Sequence, residues 1–188
     1  MPTVITFVRL LCLPLFLYLL FGRDDRANAA WLLGGLGATD WVDGYLARRL
    51  GQVSEFGKKF DPTVDRLLFI VATVAIIIDG AGPVWFLAIV LAREVLVGSA
   101  VVIATVFFHM ARFDVTYLGK WATLLLMFAV PGFMLGSSDI AGNEFFEVAS
   151  WILAVPGLAL SLFTAAGYAS KIRAGVVAGR AARHGLTA

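Results

Sequence analysis

The sequence has 188 residues, of which 60% are hydrophobic and only 15% are charged. An ordinary soluble domain is about 45–50% apolar and about 25% charged, so this composition excludes a water-soluble single domain. The formal net charge of +2 is too small an excess of basic residues to indicate nucleic acid binding. Cys12 is the only cysteine, which excludes a disulfide scaffold.

Six apolar segments predict an all-α, polytopic membrane protein with six transmembrane helices, a single integral-membrane domain over residues 1–188. A helix that crosses the hydrocarbon core needs about 20 mostly apolar residues. A cleaved signal peptide at the first segment is a weaker alternative, because Arg9 lies inside the apolar run. The predicted spans are residues 4–21, 29–47, 62–78, 83–108, 121–138 (or from Tyr117) and 148–170.

The basic residues in the connections predict an orientation in the cell membrane. The second-to-third connection, the fourth-to-fifth connection and the tail at 171–188 hold ten Lys or Arg, against two in the other connections. Because Lys and Arg are concentrated in cytoplasmic loops, both termini and a polar cavity near the second-to-third connection are predicted to face the cytoplasm. The Gly-, Ala- and Arg-rich tail is predicted to be a frayed end against the lipid headgroups.

Ionisable residues inside predicted spans indicate a functional site by default, and here they form a pattern. Five residues of the second segment follow one another at offsets 0, 3, 4, 7 and 8, which places them on one face of a helix. They are Asp40, Asp43, Gly44, Ala47 and Arg48.

A second set, Gly57, Asp61 and Asp65, continues the pattern at intervals of four residues. Asp61-Pro62 has the form of an N-cap followed by a first-turn proline, which predicts that the third helix starts there. Carboxylates that converge in a low dielectric repel one another unless a cation lies among them. Ligation by carboxylate oxygens alone suits Mg²⁺, Mn²⁺ or Ca²⁺ and disfavours zinc. A solvated loop and structural ion pairs would explain any one of these residues, but not the whole pattern.

The string Asp40-x2-Asp43-Gly44-x2-Ala47-Arg48-x8-Gly57-x3-Asp61-x3-Asp65 resembles the full signature of the CDP-alcohol phosphatidyltransferases. The resemblance implies a homodimer of six-helix protomers that uses CDP-diacylglycerol and a glycerol-type hydroxyl acceptor and releases CMP. It implies two Mg²⁺ or Mn²⁺ ions per active site held by Asp40, Asp43, Asp61 and Asp65, with Asp65 also the catalytic base. Residues Asp43, Gly44, Ala47, Arg48 and Gly57 would contact the CDP group.

The fourth and fifth segments bear on the acceptor. Members that use glycerol-3-phosphate resemble Arg-Glu-x6-Arg followed by Gly-Lys-x-Lys-Thr. This chain keeps Arg93-Glu94 and Lys120 but has Val101 and Ala122 at the other two basic positions. Arg93 and Lys120 are therefore candidate acceptor-binding residues, and a cardiolipin synthase that uses phosphatidylglycerol is favoured over a phosphatidylglycerophosphate synthase.

Two alternative interpretations remain, one for Arg93 and Glu94 and one for the whole protein. Arg93 and Glu94 could form structural ion pairs, and since adjacent positions do not face each other on a helix, each is expected to need another partner. A membrane transporter is the alternative from a different functional class, but its polar residues should be distributed through the depth of the bilayer.

The glycines Gly34, Gly35 and Gly37 lie inside an apolar helix and predict close helix packing rather than a phosphate loop.

Overall fold

The computed structural model describes the backbone of residues 2–50, 55–107 and 117–185, and side chains within 8–39, 42, 64–99 and 117–167. These residues form six α-helices and one π-helical turn, with no strand among them, so the all-α prediction is confirmed. The helices are α1 Pro2–Leu17 with its π-helical continuation Tyr18–Gly22, α2 Arg26–Leu50, α3 Glu55–Asp79, α4 Val84–Phe107, α5 Tyr117–Gly136 and α6 Asn143–Gly185.

Two predicted helix ends are wrong. Helix α3 already includes Glu55, so Asp61 lies inside the helix and does not cap it. Pro62 therefore also lies inside α3. A proline within a helix is tolerated in a membrane bundle because neighbouring groups can donate to the carbonyl that the proline leaves without a backbone donor. Helix α6 continues to Gly185, so the backbone of the basic tail is helical rather than frayed up to that residue. The tail is rich in Ala and Arg, which have high helix propensity.

Two helical segments are long and apolar enough to cross a membrane, Tyr117–Gly136 and Asn143–Gly167, among the residues that the structure describes. The shorter segment Val8–Gly22 is apolar as well. The other predicted spans carry charged side chains or extend into residues whose side chains are not described. Six membrane crossings therefore stay a prediction.

Helices α5 and α6 pack closely because α5 has glycines four residues apart. A Cβ atom at Gly136 would lie 3.0 Å from Cα of Glu147 in α6, and one at Gly132 would overlap the hydroxyl of Ser150. Small residues at such spacing let membrane helices approach each other. On the other side of α5, a Cβ atom at Gly37 of α2 would lie 3.1 Å from Met127, so the predicted close packing is confirmed at Gly37 but not at Gly35, where a Cβ atom would meet no neighbour within 4 Å.

The start of α2 is capped by Asp25. Its carboxylate accepts a hydrogen bond from the backbone N–H of Asn28 at 3.0 Å and another from the Asn28 side-chain amide at 2.7 Å. These bonds favour the ionised carboxylate and hold the pKa of Asp25 below its usual range. The contribution of this cap to stability is therefore present at neutral pH and is lost as the pH falls through that lowered pKa.

One arginine connects three parts of the chain at one end of the bundle. Arg26, at the start of α2, donates to the Asp79 carboxylate at 2.8 Å and to the Asp79 carbonyl at 3.1 Å, at the end of α3. It also donates to the carbonyl of Ser137, after α5, at 3.4 Å. We call these three residues the Arg26 clasp. The clasp brings together three connections that the charge pattern assigns to the same side of the membrane.

We expect Arg26→Ala to lower the stability of the protein. The Asp79 side chain is only 9% exposed, and a buried acceptor that loses its partner costs about 1–3 kcal/mol. Thermal unfolding of the purified protein in detergent measures the effect. Arg23→Ala removes the same charge from the same connection, where the side chain is exposed, and is the matched control. Equal unfolding temperatures for the two variants would contradict a stabilising role for the clasp.

Candidate active site

Asp65 is the one aspartate of the signature whose side chain the structure describes. Arg9 of α1 donates from Nη1 to Oδ1 of Asp65 in α3 at 2.9 Å. The Arg9 side chain is 6% exposed and that of Asp65 is 29% exposed. This ion pair joins two helices across 56 residues of sequence, and it fixes the rotational position of α3 against α1.

A cleft runs from this ion pair into the bundle, between α1, α2, α3 and α5. Each helix contributes residues three or four positions apart, which lie on one helical face. Apart from the ion pair the lining is apolar, and the cavity volume of the cleft is about 60 Å³. It is lined by Arg9, Leu13 and Phe16; Leu33, Leu36 and Gly37; Asp65, Leu68, Phe69 and Ala72; and Met127, Val130 and Pro131.

The charges lie at one end of this cleft. The Arg26 clasp places the end of α3 beside the start of α2, so α1 and α3 run in the same direction. Arg9 and Asp65 are the first lining residues of these two helices. The cleft therefore has one charged end and one apolar end, an arrangement that suits a ligand with a polar head and a hydrocarbon chain.

The remaining signature residues have described backbone but no described side chains. Asp40, Asp43, Gly44, Ala47 and Arg48 belong to α2, and Gly57 and Asp61 belong to α3. Asp40 comes one helical turn after Gly37, which lines the charged half of the cleft. The predicted contacts of these residues with metal and with CDP lie outside the described residues and stay predictions.

The donor chemistry of the signature fits a hard divalent cation. Four carboxylates on two helices provide only oxygen ligands, which Mg²⁺ and Mn²⁺ accept. Among the described side chains, no three His, Cys, Asp or Glu residues come together as a metal site. This search includes Asp65 but not the other three aspartates.

A second group of charges lies between α3 and α4. Arg66 donates from Nε to Oε1 of Glu94 at 2.6 Å, and Arg93 donates from Nη1 to Oε2 of Glu94 at 2.7 Å. Arg93 also donates to the carbonyl of Ser161 in α6 at 3.4 Å. We call Arg66, Arg93 and Glu94 the arginine–glutamate cluster.

The cluster corrects one expectation from the sequence. Arg93 and Glu94 are adjacent, yet they form a direct ion pair. Their Cβ atoms point in different directions, but both side chains are long enough to meet beside the helix. The premise that adjacent residues do not meet is thus wrong here, but each residue does have another partner as expected, since Glu94 also accepts from Arg66 and Arg93 also donates to the carbonyl of Ser161.

The two candidate acceptor-binding residues are in different surroundings. Arg93 is nearly buried within the arginine–glutamate cluster, whereas Lys120, near the start of α5, is exposed. No hydrogen bond or ion pair connects them within the described part of the chain. The structure thus gives Arg93 a defined set of partners and leaves the role of Lys120 as a prediction.

Arg9 and Arg66 lie at the candidate site, although neither was assigned a site role from the sequence. Both are charged side chains inside otherwise apolar segments, at 4–21 and 62–78. That feature alone marks a functional candidate in a membrane protein. Their partners, Asp65 and Glu94, were not predictable, because each ion pair joins two helices whose relative rotation cannot be inferred from the sequence.

The comparisons with known proteins identify the family of the chain. The family model described as CDP-alcohol phosphatidyltransferase matches residues 1–163. The chain belongs to this family. Its members are membrane-integral phosphatidyltransferases and are generally dependent on divalent cations.

Similar proteins include enzymes named for two different acceptors. A "Cardiolipin synthase (CMP-forming)" of Streptomyces coelicolor is 34% identical, over 92% of this chain and 82% of its own length. A "CDP-diacylglycerol--glycerol-3-phosphate 3-phosphatidyltransferase" of Rickettsia typhi is 32% identical, over 84% of this chain and 92% of its own. The Bacillus subtilis protein of that name is 29% identical, over 81% and 86%. Similarity therefore supports phospholipid biosynthesis and leaves the acceptor open.

We expect Arg9→Met to lower phosphatidyltransferase activity. The substitution keeps the apolar length of the side chain and removes the hydrogen bond to Asp65. Asp65 is a predicted metal ligand, and loss of a residue that orients a metal ligand typically costs about 10–100-fold in activity. The measurement is the rate of CMP release from CDP-diacylglycerol. Leu11→Met on the exposed side of α1 is the control, and an Arg9→Met variant as active as this control would contradict the role of Arg9.

Proposed function

We propose that this protein transfers the phosphatidyl group of CDP-diacylglycerol to a hydroxyl of phosphatidylglycerol, which makes it a cardiolipin synthase. The transfer requires Mg²⁺ or Mn²⁺ and releases CMP. The observation that carries the proposal is the position of Asp65. This signature carboxylate lies at the charged end of a cleft that is otherwise apolar, an arrangement that suits a ligand with a lipid-linked phosphate and a hydrocarbon part.

The reaction assigns each described group a task. The acceptor hydroxyl oxygen forms a bond to the lipid-linked phosphorus, the bond from that phosphorus to the oxygen of CMP breaks, and the hydroxyl proton passes to Asp65. Arg9 holds the Asp65 carboxylate in a fixed position through the 2.9 Å hydrogen bond. The apolar lining of the cleft binds lipid and excludes water, so the hydroxyl of the acceptor competes better with hydrolysis.

Asp40, Asp43, Asp61 and Asp65 are the residues that would hold the divalent cations. When bound, the cations neutralise the pyrophosphate and stabilise charge on the attacking and leaving oxygens. In the same proposal Asp43, Gly44, Ala47, Arg48 and Gly57 contact the CDP group. Small residues leave room for a ligand near the backbone of a helix.

The membrane arrangement is part of the proposal. Six crossings, with both termini and the charged end of the cleft on the cytoplasmic side, agree with the distribution of basic residues. They also agree with the Arg26 clasp, which joins connections of the opposite side. A soluble cytidine nucleotide and membrane lipids then meet at the same site. We propose a homodimer, as the family resemblance implies.

The choice of acceptor depends on the number of cationic groups. A free phosphomonoester carries nearly two negative charges at neutral pH, whereas the phosphodiester of phosphatidylglycerol carries one. Val101 and Ala122 occupy positions that are basic in the glycerol-3-phosphate pattern, which reduces the cationic contacts available to a dianion. Glycerol-3-phosphate is the second candidate acceptor, favoured by the names of several relatives.

Asp65→Asn is expected to abolish CMP release, since the amide cannot accept the proton and is a weaker metal ligand. The purified protein in detergent is assayed with CDP-diacylglycerol, phosphatidylglycerol and Mg²⁺. Asp139→Asn makes the same change at an exposed site after α5 and should leave the rate unchanged. Turnover by the wild type in the presence of EDTA, or full activity of Asp65→Asn, would contradict the mechanism.

We expect turnover of wild-type protein with phosphatidylglycerol to exceed turnover with glycerol-3-phosphate, since the chain lacks two of the basic residues that suit a dianion. The two acceptors are compared at equal CDP-diacylglycerol and Mg²⁺, and the lipid products are separated by chromatography. Preference for glycerol-3-phosphate would show instead that the protein is a phosphatidylglycerophosphate synthase.

A further inference from the structure

The arginine–glutamate cluster has a geometry that a simple ion pair does not. Each oxygen of the Glu94 carboxylate accepts from a different guanidinium, Oε1 from Arg66 and Oε2 from Arg93, at 2.6 and 2.7 Å. The arginines come from different helices, α3 and α4. One carboxylate therefore sets the position of two cationic side chains.

The cluster as a whole keeps one positive charge. Two guanidiniums and one carboxylate sum to +1, and the Glu94 and Arg93 side chains are only 14% and 9% exposed. The Arg66 side chain is 37% exposed. Its terminal nitrogens have no hydrogen-bond partner among the described residues, so it can present cationic donors to a ligand. Charged groups as little exposed as Glu94 and Arg93 interact more strongly than they would in water.

Helix α4 has a space that fits the Arg66 guanidinium. Gly98 follows Glu94 by one helical turn, and a Cβ atom at this position would lie 2.9 Å from Nη1 of Arg66. Arg66 therefore extends along α4 over Glu94 and Gly98. It also directly follows Asp65 in α3, so the cluster begins at the residue next to the proposed base.

We propose that Glu94 is a positioning residue that determines acceptor specificity. It holds Arg66 and Arg93 as a pair and cancels one of their two charges, so that the pair favours the single charge of a phosphodiester over a phosphomonoester dianion. This inference rests on the proposed phosphatidyltransferase function and concerns the acceptor half of the site.

The test compares two acceptors in wild type and Glu94→Gln. The amide keeps the size of the side chain and raises the charge of the cluster from +1 to +2. The KM for glycerol-3-phosphate should then fall relative to that for phosphatidylglycerol by about tenfold, equivalent to about 1.4 kcal/mol. The KM for CDP-diacylglycerol should stay unchanged. A general loss of folded protein would instead lower the apparent kcat with both acceptors and leave the ratio of their KM values as in wild type.

Two matched pairs of variants separate charge from position. Glu94→Asp keeps the charge and should retain the wild-type preference, whereas Glu147→Gln, an exposed carboxylate of α6, should change nothing. Gly98→Ala moves the Arg66 guanidinium without changing any charge and should raise the KM for both acceptors. Gly35→Ala, where a Cβ atom meets no neighbour within 4 Å, should not.

The outcomes distinguish the inference from the function on which it rests. If wild type releases no CMP from CDP-diacylglycerol with either acceptor, the proposed function fails. If wild type is active but Glu94→Gln leaves the ratio of the two acceptor KM values unchanged, or lowers kcat equally with both, Glu94 is only structural and the inference is overturned.

Discussion

The requirement that buried charges be paired determines the orientation of α3 relative to its neighbouring helices. Burying an ionised side chain without a partner is costly, and each of the three described groups of paired charges involves α3. Asp65 is bound by Arg9 of α1, Asp79 by Arg26 of α2, and Arg66 by Glu94 of α4. Ion pairs to α1, α2 and α4 fix the rotation of α3 about its axis and its position along the bundle. Helices α5 and α6, in contrast, pack closely at glycine positions.

This arrangement explains why α3 is suited to carry chemistry. Phosphoryl transfer depends on the position of a few groups, and side chains on rigid elements keep position better than those on loops. Asp65 receives its orientation from α1, and Arg66 receives its orientation from α4. The stability of the helix and the geometry of the site thus depend on the same contacts.

The sequence predicted the helical class and four of the six helices to within a few residues, whereas α3 begins earlier and α6 ends later than predicted. The metal and CDP contacts of the signature residues stay predictions. The sequence could not predict which charges pair, because Arg9–Asp65 and Arg66–Glu94 join helices whose relative rotation is not encoded in local periodicity. The rule that adjacent residues do not meet failed at Arg93–Glu94, since it considers Cβ directions and not side-chain length. The frayed end expected for the tail is wrong up to Gly185, because Ala and Arg favour a helix and outnumber the glycines there.

The consecutive residues Asp65 and Arg66 connect the two halves of the proposed reaction. Successive residues of an α-helix point about 100° apart, so Asp65 faces the apolar cleft between α1, α2 and α5 while Arg66 reaches α4. The cleft suits the hydrocarbon part of the donor, and the arginine–glutamate cluster suits the anionic group of the acceptor. An acceptor held by the cluster would bring its hydroxyl toward α3, beside the carboxylate that is proposed to take the proton. The proposed reaction is therefore located at α3, because this helix presents the Asp65 carboxylate to the cleft and the Arg66 guanidinium to α4.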